Sequence, residues 1–248
     1  MMNILDIEQA AFASCPANEQ SSVPGFILRS NGGYTKRANS ANQITTLTTG
    51  LETVIESCED YFLERRQTSV FRLLSTCDAN LLDQTLALKG YWPIEKTYVM
   101  TQSVGLADNA KQVIEQLPKN KWIDNFYQIS TESDNYRQQH LQMVKSISAP
   151  HCMAIQRDIQ GNIAAQGIGV VENGYFGIFN IVTSKASQRQ GLSQKLIAGL
   201  MNWAYAIGGH TAYVQVRAEN FPAVALYKKL GYQELYHYWY RVREGNAR

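Results

Sequence analysis

The sequence is poor in cysteine and histidine, has no long apolar run, and carries almost no net sign of charge. Its 23 basic and 21 acidic side chains leave a net charge of +2, so it has neither the basic footprint that a nucleic-acid backbone demands nor a like-charged tail. A main role on DNA or RNA is not expected. No stretch approaches the roughly 20 apolar residues of a membrane helix. Asp6 and Glu8 stand ahead of the first apolar run, where an export signal would carry Lys or Arg. These features predict a cytoplasmic protein with no membrane partner. Cys15, Cys58, Cys77 and Cys152 form no C-x-x-C, and the four histidines offer no zinc-ligand spacing. Reduced, buried thiols and no metal are expected. The chain also lacks G-x-x-x-x-G-K-[ST], G-x-S-x-G and H-E-x-x-H. Gly167-Ile168-Gly169 lies inside a strand that ends in a hairpin, whereas a dinucleotide fingerprint needs a helix next.

What remains is ordinary globular material: 248 residues, 45% hydrophobic, enough for one large domain or two small ones. Apolar spacing predicts helices over Ile4–Phe12, Leu51–Leu63, Leu81–Lys89, Trp122–Ile129, Tyr136–Ile147 and Ser193–Ile207. In the last of these Leu196, Leu200, Trp203 and Ile207 share a face. Strands are expected at Val70–Leu74, Tyr98–Met100, Cys152–Arg157, Ile163–Val171, Tyr175–Thr183, His210–Glu219 and Leu235–Val242. Phe26 to Ala38 reads as a hairpin turning at Asn31-Gly32-Gly33, and Ala110–Leu117 as a helix in an otherwise polar join. Pro222 opens a helix that Gly231 caps. The fold class is mixed α/β, with a first half over 1–105, a linker over 106–121 and a second half over 122–248.

At an offset of 141 the halves match at Gly33/Gly174, Tyr34/Tyr175, Asn39/Asn180, Gly50/Gly191, Leu51/Leu192, Gly90/Gly231 and Tyr91/Tyr232. The glycine pairs fall at a hairpin, a strand-to-helix turn and a helix C-cap, where backbone geometry wants Gly. This pattern points to a duplicated unit.

The second half carries the chemistry. Gln188-Arg189-Gln190-Gly191-Leu192-Ser193 links a strand to a helix N-terminus, where unpaired amides and the helix dipole favour an anion such as pyrophosphate. Twenty-nine residues after Gly191 comes Asn220-Phe221-Pro222-Ala223-Val224-Ala225-Leu226-Tyr227-Lys228-Lys229-Leu230-Gly231-Tyr232. In order and spacing the two resemble the acetyl-CoA site of the GNAT superfamily of N-acetyltransferases, with its Q/R-x-x-G-x-G/A turn and later N-x-x-A-x-x-L-Y-x-x-L-G-F/Y segment. Ser193 departs from the final Gly or Ala.

The resemblance implies two tandem GNAT-like halves and acetyl-CoA as cosubstrate. Main-chain groups of Ile181, Val182 and Thr183 would bind pantetheine and polarise the thioester carbonyl. Gln188 to Ser193 would take the pyrophosphate, Asn220 would bond the pantetheine arm, and Tyr227 would serve as general acid to the leaving thiolate. The acceptor would be a small-molecule or peptide amine. From Asn173 to Ala218 there is no Asp or Glu, so the base stays open among Glu219, Glu172, His210 and solvent.

In the first half the equivalent turn reads Leu47-Thr48-Thr49-Gly50-Leu51-Glu52. An acidic Glu52 there, with Ala79 and Leu86 opposite Asn220 and Tyr227, marks a degenerate repeat. Gly32 to Ser40 and the closing Tyr236-His237-Tyr238-Trp239-Tyr240-Arg241 resemble a bacterial subgroup of tandem GNAT proteins. Arg37, Asn39 and Tyr238 are candidate acceptor-binding residues, with structural packing as the competing account. A non-catalytic acyl-CoA sensor on the same fold is the alternative function.

Overall fold

Among the described residues, 3–106 and 114–243 of a computed structural model, these patterns resolve into seven α-helices and eleven strands. They assemble into two compact units. The larger is drawn from Met1–Pro16, Met100–Gln215 and Ala225–Gln233, the smaller from Ala17–Val99, Val216–Val224 and Glu234–Arg248. These units cut across the sequence-order halves 1–105 and 122–248, because the N-terminal helix and the end of the fifth strand join the later segments while the closing strand joins the earlier ones.

In the smaller unit β1 (Glu19–Val23), β2 (Phe26–Ser30) and β3 (Ser40–Gln43) pair antiparallel in that order. β3 is parallel to β4 (Val70–Leu74) across α2 (Leu51–Glu64), and β4 is antiparallel to the closing β11 (Gln233–Val242). The core holds Phe26, Leu28, Ile55, Phe62, Phe71, Leu82 and Leu86, the last two from α3 (Asn80–Leu88). Asp83 on α3 accepts from Trp239 Nε1 at 2.7 Å and from the Arg241 guanidinium, clipping β11 to the helix. Burial raises the Asp83 carboxyl, but these hydrogen bonds outweigh it and hold the group below the usual carboxylate range.

The larger unit opens with α1 (Ile4–Ser14), whose Asn3 cap accepts from the Leu5 amide. Its strands follow the order β10-β9-β8-β7-β6. β6 (Glu115–Gln116), β7 (His151–Arg157), β8 (Ile163–Glu172) and β9 (Tyr175–Thr183) are antiparallel neighbours. β9 and β10 (Thr211–Arg217) are parallel, joined by α6 (Leu192–Ala206). α4 (Lys119–Ile129) and α5 (Arg137–Lys145) pack on one another, and α7 (Phe221–Lys229) follows β10. On α6, Leu196 and Leu200 are buried, Trp203 meets Phe176 edge-on, and Ile207 lies exposed past the helix end.

The polar Glu19–Val23 is an edge strand, because ladder hydrogen bonds do not require apolar side chains on a solvent-facing edge. Three expectations need correction. Phe26–Ala38 is not a two-strand hairpin: β2 pairs with β1 and β3, and a 310 turn (Lys36–Ala38) lies in the connection. β5 runs over Trp92–Ser103, far beyond Tyr98–Met100. The helix read over Ala110–Leu117 falls largely outside the described residues, and its described end is strand β6.

The repeat has a backbone signature. Gly33 and Gly174 have φ of 84° and 79°, Gly50 and Gly191 68° and 76°, and Gly90 and Gly231 83° and 92°. Each pair shares the left-handed conformation that excludes most side chains.

Candidate active site

Parallel pairing between β9 and β10 runs from Tyr175/Thr211 to Ile178/Val214 and stops there, although β9 continues to Thr183. The cause lies partly in β9. Opposite β8, Phe179 faces Ile168 and Val182 faces Gln166, so β9 carries one extra residue. This is a β-bulge, which bends the strand and re-aims its main chain. Asn180 at the bulge has a φ of 51°. A Cβ on Gly167, across the bulge, would overlap Ile181 Cδ1, so glycine there is what admits the Ile181 side chain. Ile181, Val182 and Thr183, all half-buried, therefore stand beyond the last paired residue of β9.

From Thr183 a 310 turn (Lys185–Ser187) leads to the segment Gln188–Gly191, which is exposed. Arg189 and Gly191 have φ of 62° and 76°, and Gly191 is the N-cap of α6 with no side-chain capping bond. The first amides of a helix have no intrahelical acceptor. Here no acidic side chain occupies the first turn, and a Cβ on Gly191 would meet nothing within 4 Å. The turn is an open, amide-lined cradle suited to pyrophosphate. Leu192 is buried and anchors the helix, while Ser193 Oγ bonds Thr183 Oγ1. The side chain of Gln190 donates back to Ala186 O at 3.3 Å. Gln194, Ile197 and Met201 continue the α6 face into a cavity of about 430 Å³ that Gln102, Ser103 and Lys229 also line.

Tyr227 on α7 is 7% exposed and packs edge-on against Tyr232 with ring centroids 5.4 Å apart. Burial pushes its phenol well above the ordinary range, so the group is protonated at neutral pH, the form a general acid requires. Asn220 is exposed, and its Oδ1 accepts from the Ala223 amide at 3.3 Å, capping α7. Glu219 is exposed and pairs loosely with Arg217 at 3.6 Å. His210 is also exposed, bonded to Thr211 Oγ1 at 3.0 Å.

The turn, the end of β9 and Tyr227 belong to the larger unit; Glu219, Asn220, Arg37, Asn39 and Tyr238 belong to the smaller. There Asn39 Oδ1 accepts from the Asn31 and Gly33 amides at 2.7 and 3.0 Å, and its Nδ2 donates to Thr35 O, so this side chain staples its own loop. Tyr238 is buried under the Arg72 guanidinium, 3.7 Å from its ring centroid. Arg37 is half-buried, and its carbonyl accepts from Arg29.

Two polar residues had no signal in the sequence. Gln43 ends β3, the counterpart of β9 in the smaller unit. Its Oε1 reaches the Leu74 amide at 3.4 Å and its Nε2 the Thr45 carbonyl, so a buried side chain takes up main-chain groups beside the smaller unit's own parallel pair. His140 on α5 is fully buried and bonded to Asn180 and Tyr127. A lone histidine in a helix has no motif to announce it.

Among the described residues no group of three or more His, Cys, Asp or Glu could hold a metal ion, and no helix is long and apolar enough to cross a membrane. Residues 2–241 match the family described as "Probable histone acetyltransferase Rv0428c C-terminal". The uncharacterized N-acetyltransferase YobR of Bacillus subtilis is 30% identical over 251 residues, covering 98% of this chain and all of that protein. In fold, a GCN5-related N-acetyltransferase from Kribbella flavida matches 99% of this chain and 98% of its own, with a TM-score of 0.72 at 13% identity. A tandem GNAT protein from the clavulanic acid biosynthesis pathway matches 95% of this chain and 86% of its own, with a TM-score of 0.59 at 10% identity.

Proposed function

The chain belongs to the GNAT acetyltransferases, within the family described as probable histone acetyltransferase Rv0428c C-terminal, and on that premise we propose that it transfers the acetyl group of acetyl-CoA to a primary amine by direct attack. The observation that carries this reading is the end of β9–β10 pairing after Ile178/Val214, beside the glycine cradle at Gly191. Acetyl-CoA supplies the activated acyl group. The main chain of Ile181–Thr183 holds the pantetheine arm as an added strand would be held and orients the thioester carbonyl. The amides after Gln188 bind pyrophosphate, with Arg189 at the rim. Tyr227 delivers a proton to the leaving thiolate.

The acceptor is a small-molecule or peptide amine in the cytoplasm. Holding it against the thioester supplies most of the rate, so solvent suffices to take up the amine proton. Neither nucleic acid nor membrane is a partner in this reading. The smaller unit is a degenerate repeat: Glu52 lies in the first turn of α2, and Gln43 fills hydrogen bonds there.

Calorimetric titration with acetyl-CoA, followed by a free-thiol assay across an amine panel, tests the proposal. One site per chain and thiol release with an amine are expected. Tight binding with no thiol release from any amine would favour the acyl-CoA sensor instead.

A further inference from the structure

Asn180 combines an uncommon backbone conformation with a side-chain bond to a residue of a different element. Its φ of 51° lies in the left-handed region inside a strand, at the bulge that ends β9–β10 pairing. Few non-glycine residues adopt that region, and asparagine does so more readily than most. Its Nδ2 is 2.8 Å from His140 Nε2. An amide nitrogen only donates, so Nε2 accepts and the imidazole proton resides on Nδ1, which donates to Tyr127 Oη at 3.2 Å. The ring is 0% exposed and lies edge-on to Phe126, with centroids 5.1 Å apart. The acceptor offered to Asn180 is therefore held in place by the packing around the ring.

We infer that His140 is a positioning residue for the acetyl-transfer site: it holds Asn180 in the left-handed conformation that turns the main chain of Ile181–Thr183 out of the β9–β10 ladder. The inference rests on the reading that those main-chain groups bind acetyl-CoA. His140 touches no reacting atom and acts through the strand.

Glycine adopts a positive φ without help, and this supplies the test. Acetyl-CoA Kd is measured by calorimetry for the full-length wild type, His140→Leu, Asn180→Gly and the double variant, with thermal melts to establish folding. Loss of one buried hydrogen bond predicts that His140→Leu raises Kd about tenfold in the wild-type background and less than about twofold in the Asn180→Gly background. His140→Gln, which keeps an acceptor for Asn180, should stay within about threefold of wild type. An equal penalty in both backgrounds, or none, overturns the inference. If the leucine variant does not fold, a folded His140→Gln protein with Kd raised about tenfold overturns it as well. Failure of the wild type to bind acetyl-CoA would instead bring down the site assignment, and this inference with it.

Discussion

Thr183 Oγ1 and Ser193 Oγ lie 2.6 Å apart, one hydroxyl donating to the other, and so tie the last residue of β9 to the first turn of α6. Both elements present main-chain groups to the proposed acetyl-CoA site. The bond also gives Ser193, where the family pattern has Gly or Ala, a partner of its own. Ser193→Ala should cost about 1 kcal/mol, lowering Tm by about 2–4 °C, because the β9–α6 connection loosens while the cradle keeps its glycine. Differential scanning calorimetry measures the shift; an unchanged Tm would mean the bond contributes nothing net.

Gly191 and Gly50 share a left-handed conformation with open space above each Cα, but only Gly191 is assigned a ligand. Gly191→Ala should fold with a loss of about 1 kcal/mol from φ strain. Gly191→Glu should fold too, yet abolish acetyl-CoA binding through bulk and like charge against pyrophosphate. Gly50→Glu should leave acetyl-CoA affinity unchanged. Calorimetric titration of the three variants decides, and a lost affinity in Gly50→Glu would give the smaller unit a binding role.

Tyr227→Phe keeps the packing against Tyr232 and removes only the hydroxyl. It should lower kcat by about 100-fold or more with acetyl-CoA affinity within about twofold. Because burial raises the phenol, its ionisation should not depress the wild-type rate at any pH below about 10. A variant as fast as wild type would remove Tyr227 from the acid role.

Cys58 and Cys152 are buried, and burial pushes both thiols up to about 12, with the neighbouring Glu59 adding to the effect at Cys58. Unfolded thiols ionise near about 8.5. Between those values the unfolded chain has lost protons that the native chain keeps, so stability falls as pH rises from about 8.5 towards 12. Melting temperatures taken from pH 7 to 10.5 should decline over the upper part of that range. Cys77, half-buried, should react with a thiol reagent in the native state before Cys15, Cys58 and Cys152 do.

The glycine turn before α6 was legible because its signal is local: a glycine at a fixed place after a strand and before a helix produces the same open turn wherever the strand leads. The glycine pairs of the repeat were legible for the same reason, since a positive φ excludes most other residues at each. Asn39 and Tyr238 were harder. An asparagine that staples a loop and one that binds a substrate look alike until the amides of Asn31 and Gly33 are seen on its oxygen. Tyr238 alternates with Tyr236 and Tyr240 as any half-buried strand would, and its placement under Arg72 is a tertiary fact. His140 and Gln43 left no trace, because each acts on a main-chain or side-chain group distant in sequence.

The sequence by itself determined the elements that follow from periodicity and turn chemistry, the duplicated glycine turns, and the family, because these depend on residues within one helix, one strand or one connection. Only the tertiary structure decided that α1 and the end of β5 join the larger unit while the closing strand joins the smaller, and that β9 parts from β10 at a bulge beside His140. Strand pairing is set by which edges remain open once every segment has packed, and a buried hydrogen bond is set by what the fold brings opposite it; neither is a property of any one stretch of chain.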